Sequence, residues 1–187
     1  MAVLGSEFPI LSLQDIGCEE DIPETQDTIP GNARQKAETI WDRYRIACFA
    51  DDTGLEVEAL EGAPGVYSAR YAGPQRNSQD NMKLLLRNLQ DKNNRSAQFR
   101  TVIALRTAKE ERLFEGILKG SILTSPRGSA GFGYDPVFLP QESASTLAEM
   151  SMDEKNIVSH RAKAVKQLAD FLRRNYHSLQ GSTKANL

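Results

Sequence analysis

Cysteine is nearly absent from this 187-residue sequence: Cys18 and Cys48 are the only two. They lie far apart and show no metal-type spacing, so neither a disulfide framework nor a cysteine metal site is indicated. Two buried thiols in a reducing compartment are expected. An excess of either charge is also missing, with 23 Lys and Arg against 25 Asp and Glu. Nothing therefore draws the whole chain to nucleic acid or to a membrane, and any anion site must be local. No apolar run approaches the roughly 18 residues of a membrane span. The first fifteen residues contain Glu7 and Asp15 and have no basic n-region, so they do not read as a signal peptide. Low-complexity tracts, internal repeats and linkers are missing too. The expectation is a cytoplasmic protein with neither membrane nor nucleic-acid partners.

What is present is a soluble globular composition, 40% hydrophobic and 26% charged, in a chain long enough to bury a core. Ala33, Ala37, Ile40, Trp41 and Tyr44 recur at helical spacing opposite a charged face. A second helix is predicted at residues 78–90, capped by Ser78, with Met82, Leu85, Leu86 and Leu89 as its stripe. Residues 97–107 and 112–123 are rich in β-branched and aromatic residues, and a short polar link joins them as an antiparallel pair. Ser151 and Glu154 mark a capping box for a short helix. Val165, Leu168, Ala169 and Leu172 form the inner face of a last helix. Helices and strands alternate loosely, which predicts an α/β fold with a mixed, strongly twisted sheet flanked by helices. A single domain over residues 1–175 is expected, followed by a disordered tail at 176–187.

Four stretches carry candidate chemistry. In "FADDTGLEV", Asp51 and Asp52 precede Thr53 and Gly54, which suggests a strand ending at a turn with its carboxylates displayed. Adjacent strand residues point to opposite faces, so at most one acid aims into a given site. Such an acid suits Mg²⁺ with phosphate oxygens and water, and the same residues also suit a solvated turn. In "SHRAKAVK", a Ser159 cap puts His160 and Arg161 at the positive end of a helix dipole, where cations are disfavoured by roughly 0.3–1 kcal/mol each. That placement makes a site for phosphate or a purine carbonyl, or else leaves both side chains in solvent. In "GSAGFGYDP", Gly128, Gly131 and Gly133 let backbone approach a ligand, while Phe132 and Tyr134 offer ring faces. Asp135, held before a proline, can accept from a base or ribose, although the stretch equally suits a tight structural loop. No helix follows it, so it is not a dinucleotide fingerprint. Glu24, in "DIPETQD", read alone is a surface acid.

Taken together, "FADDTGLEVEALEGAPGVYSARYAG", "GFGYDPVF" and "EKNIVSHRAKAVKQL" resemble, in order and spacing, the central motifs of the inosine triphosphate pyrophosphatase family. The resemblance covers roughly residues 8–174. It implies a two-lobed α/β fold with a central cleft, a homodimer, and Mg²⁺-dependent hydrolysis of ITP, dITP and XTP to the monophosphate and pyrophosphate. Asp52 matches the family's general base and metal ligand, and Glu24 its other metal carboxylate. Thr53 matches a substrate contact and Lys36 a lysine near the phosphates. Phe132, Gly133, Tyr134 and Asp135 match the base-binding loop; Lys155 matches a lysine five residues before the histidine, and His160 with Arg161 match the pair that reads a 6-keto purine. Two departures stand out. The family's first strand and phosphate loop are not matched, and residues 2–17 resemble the end of its first helix and its second strand. Pro30 and Gly31 stand where the family often has a glutamate. A catalytically weak nucleotide-binding or dimerising relative is the alternative those departures suggest.

Overall fold

The computed structural model describes residues 8–180. Helix α1 (Ile29–Tyr44) starts where the Thr28 side chain accepts from the Gly31 N–H at 3.1 Å. Pro30 sits in the first turn, where its missing N–H costs nothing. The helix ends at Arg45, whose φ of 54° is left-handed and whose N–H donates to Trp41 O. Strand β1 (Cys48–Val57) follows, then the two-residue β2 (Pro64–Gly65) and helix α2 (Ser78–Asn88). Next come the long hairpin of β3 (Ser96–Arg106) and β4 (Glu111–Ile122), and then β5 (Phe138–Pro140). Helix α3 (Met152–Val158) and helix α4 (His160–Gln180) close the order.

The sheet runs β2-β1-β3-β4-β5. The α/β class and the flanking helices are those expected, but every strand pair among the described residues is antiparallel rather than mixed. β3 is the central strand, so its "TVIAL" run is buried on both faces. One face carries Phe99, Thr101, Ile103 and Leu105 of β3. Ala164, Leu168, Ala169 and Leu172 of α4 pack over Ile103 and Leu105. Leu85 from α2 and Leu89 just past its end, with Phe138 from β5, cover Phe99 and its neighbours Leu55 and Val57. The other face carries Val102 and Ala104, covered by Ile29, Ala33 and Ala37 of α1. Among the described residues no helix is long and apolar enough to cross a membrane.

Several local expectations need correction. β1 does not end after the two acids; it continues through Thr53 and Gly54 to Val57. Gly54 marks a close approach rather than a turn, since a Cβ there would collide with Gly65 O and stand 2.9 Å from Ile29 Cδ1. The cap of α2 is Asn77, not Ser78, because its side chain accepts from the N–H groups of both Gln79 and Asp80. The expected second strand near the start is not formed by residues 8–17, where turn bonds such as Cys18 N–H to Leu13 O take its place. Residues 1–7 lie outside the described ones. α4 continues to Gln180, past the expected boundary at 175, and the rest of the predicted tail also lies outside.

Candidate active site

Asp51 and Asp52 are consecutive on β1, and the pleat sends them to opposite faces of the sheet. Asp52 lies opposite Val102 on the α1 side, and Asp51 lies opposite Ile103 on the α4 side. Each carboxylate finds its own set of partners.

On the α1 side, Lys36 Nζ lies 2.7 Å from Glu24 Oε1 and 3.1 Å from Asp52 Oδ1, so one ammonium bridges two carboxylates. Helical spacing puts Lys36 one turn after Asn32 on the same face of α1. Asn32 is 1% exposed. Its Oδ1 accepts from the Gln26 N–H at 2.9 Å, and its Nδ2 donates to Asp52 Oδ2 at 3.4 Å. The Glu24 loop is further tied to α1 by Gln35, which accepts from the Thr25 N–H at 2.8 Å. Burial raises the Asp52 carboxyl above its ordinary range, and Lys36 only partly offsets this. Burial also acts to lower Lys36, but the two carboxylates outweigh it and its ammonium is held more firmly than usual. Two carboxylates aimed at one cation are a donor set suited to Mg²⁺, which takes one or two carboxylates and completes its shell with phosphate oxygens and water. Among the described residues no cluster of three or more His, Cys, Asp or Glu exists, so an all-protein cage is not offered.

On the α4 side, Arg161 Nη2 donates to Asp51 Oδ2 at 3.0 Å. His160, the first residue of α4, lies flat against Phe99 of β3, with ring centroids 5.0 Å apart and planes 11° from parallel. Its Nδ1 is buried and has no hydrogen-bond partner among the described residues. Burial, helped by the nearby Arg161 and Lys163 charges, lowers the imidazole to about 4, so it is neutral at physiological pH. Ser159 caps α4 by accepting from the Ala162 N–H at 3.3 Å. Thr53 shares this face, with its hydroxyl 2.7 Å from that of Thr101.

The glycine-rich loop brings Phe132, Asp135 and Lys155 together. Asp135 Oδ2 accepts from Lys155 Nζ at 3.1 Å and from the Phe132 N–H at 3.2 Å. Gly131, beside this pair, has a φ of 87°, a left-handed conformation that favours glycine. Gly133 also takes a left-handed φ, 61°. Phe132 is 79% exposed and presents its ring to solvent. Tyr134 does the opposite and overturns its expected stacking role: it is 4% exposed in the core, and its hydroxyl donates to Ser68 O. Left-handed Gly133 stands between the two aromatics, one exposed and one buried, a difference that composition alone does not reveal.

The predicted residues therefore form three groups: Glu24–Lys36–Asp52, Asp51–Arg161 with His160, and Asp135–Lys155 beside Phe132. Two shallow hollows of about 290 and 410 Å³ lie along α2 and between α4 and β4. Neither is lined by these residues. Sequence reasoning missed Asn32, Thr101 and Phe99. Asn32 had a signal in standing four residues before Lys36; the other two look like ordinary strand residues until β3 is paired with β1.

Comparison with known proteins adds an independent line. A dITP/XTP pyrophosphatase of Flavobacterium psychrophilum is 55% identical over 172 residues, spanning 92% of this chain and 90% of that protein. One from Porphyromonas gingivalis is 54% identical over 171 residues, spanning 91% and 88%. The solved structure of the Staphylococcus aureus Ham1 protein superposes with a TM-score of 0.89 at 36% identity, covering 92% of this chain and 91% of that one. A nucleoside-triphosphatase, dITP/XTP pyrophosphatase, from Mycobacterium abscessus gives a TM-score of 0.76 at 43% identity, covering 84% and 85%. The sequence model of the Ham1 family matches residues 1–171, which takes in all three groups of side chains. With sequence, fold and matched span in agreement, the chain belongs to the Ham1 family.

Proposed function

We propose that this chain hydrolyses non-canonical purine nucleoside triphosphates such as dITP, ITP and XTP to the monophosphate and pyrophosphate. The observation that carries the reading is the bridged Glu24–Lys36–Asp52 cluster, in a chain whose relatives include dITP/XTP pyrophosphatases. Glu24 and Asp52 would hold Mg²⁺, which when bound neutralises charge on the phosphate oxygens. Asp52 is the base that orients or deprotonates the attacking water, a role suited to a carboxyl whose buried setting raises its proton affinity. Lys36 and Lys155 offset triphosphate charge.

Base choice falls to the other face of β1. Neutral His160 and the Arg161 guanidinium supply donors for a purine O6, and a 6-amino group there would leave those donors unpaired. Exposed Phe132 supplies a ring for the base to stack on, while Thr53, Gly133 and Asp135 provide the polar contacts. A cytoplasmic homodimer completes the proposal on the strength of the family resemblance, and sedimentation of the purified chain tests the dimer.

The central experiment measures pyrophosphate release with Mg²⁺ from ITP and ATP. ITP should be strongly preferred, and Asp52→Asn should lower the ITP rate by roughly 10²–10⁴. Equal rates on ITP and ATP would refute the base assignment; an undiminished Asp52→Asn rate would refute the catalytic one.

A further inference from the structure

Two residues outside the proposed substrate contacts touch both groups proposed to read the base. Phe99 supports the His160 ring as a flat stack, and is itself wedged by Phe138 with centroids 4.7 Å apart. Among the described residues His160 Nδ1 has no hydrogen-bond partner, so none of their polar groups fixes the ring at that nitrogen. Its orientation comes from the stack and from the backbone. Gly116 on β4 makes the backbone seat possible, since a Cβ there would collide with His160 O and stand 2.8 Å from Ala164 N. Asp51 meets Arg161 at 3.0 Å, with side chains 42% and 55% exposed. An ion pair this open contributes little to stability. What it does contribute is direction, because it limits the many rotamers of a long guanidinium arm to those that reach Asp51.

We propose that Asp51 and Phe99 are positioning residues for purine selection, Asp51 aiming Arg161 and Phe99 setting the plane of the His160 ring. The inference rests on the reading that His160 and Arg161 meet the purine. It also accounts for the paired acids: Asp52 works among the α1 groups, while Asp51 serves base recognition through Arg161 on the opposite face.

The test compares kcat and KM for ITP and ATP in the wild type, Asp51→Asn, Asp51→Glu and Phe99→Leu, with His160→Ala and Arg161→Ala as references. Asp51→Asn and Phe99→Leu should each raise KM for ITP and cut the ITP-over-ATP ratio of kcat/KM, about threefold for Asp51→Asn and about tenfold for Phe99→Leu, with kcat for ITP held within about twofold. Asp51→Glu, which restores the charge, should recover part of the ratio. A wild-type ratio in Asp51→Asn, with the ratio collapsed in Arg161→Ala, would overturn the inference and leave the base reading standing. Unchanged ratios in both His160→Ala and Arg161→Ala would instead overturn the base reading itself, and the inference with it. Phe99 is a core residue, so if Phe99→Leu does not fold, the partly exposed Asp51→Asn decides alone.

Discussion

At neutral pH His160 is an uncharged imidazole pressed onto Phe99, and acid should expose what that costs the fold. Its folded proton affinity is depressed from 6.5 to about 4. The unfolded chain therefore takes up the proton first as pH falls. Between pH 6.5 and 4 the unfolded state binds more protons, so stability drops as pH falls through that window and is retained above it. Going from pH 7 to pH 5, this one group should remove about 2 kcal/mol. For a chain of this size that corresponds to roughly 4–8 °C in melting temperature. His160→Phe keeps a ring against Phe99 and discards the titration. Urea or thermal unfolding at pH 7 and 5 should show the wild type losing about 2 kcal/mol more than His160→Phe. Carboxylates common to both proteins cancel in that difference. Parallel losses would refute the assignment of a partly buried, neutral imidazole.

Three further perturbations test the frame around the site. Gly54→Ala should destabilise by about 1–3 kcal/mol, because the new methyl meets the β2 backbone at Gly65, and denaturant titration would show it. Asn32→Leu removes the amide that joins the Gln26 N–H to Asp52; unfolding should reveal a cost of about 0.5–1.5 kcal/mol from the lost hydrogen bonds. Burial pushes the Cys48 thiol up to about 11, so its alkylation by iodoacetamide at pH 8 should be far slower than that of an unfolded control, and matching rates would contradict its half-buried position.

Periodicity carried most of the fold. The α1 alanines, the β3–β4 hairpin and the α4 stripe all follow from local pattern, because each element buries a face whose spacing is written in adjacent residues. The strand through Asp51 and Asp52 was harder. Thr-Gly normally punctuates a chain, and only the nearness of Gly65 reveals that Gly54 serves packing instead. Within the site, charged residues were legible because acids, lysines and a helix-start arginine break local rules. Phe99, Thr101 and the buried Tyr134 were not, since nothing in an aromatic or a threonine distinguishes scaffold from site until strands are paired. Asn32 lies between these cases, its burial following from α1 and its partner from β1.

The alternation of Asp51 and Asp52 also limits how this protein can diverge. Deleting or inserting one residue upstream in β1 would exchange the two carboxylates, turning the acid beside Lys36 toward the arginine and its neighbour toward the lysine. Substitutions along the strand can be sampled one at a time, but a change of length there disturbs both chemistries in a single step. Indels between Cys48 and Asp52 should therefore be among the least tolerated in the molecule.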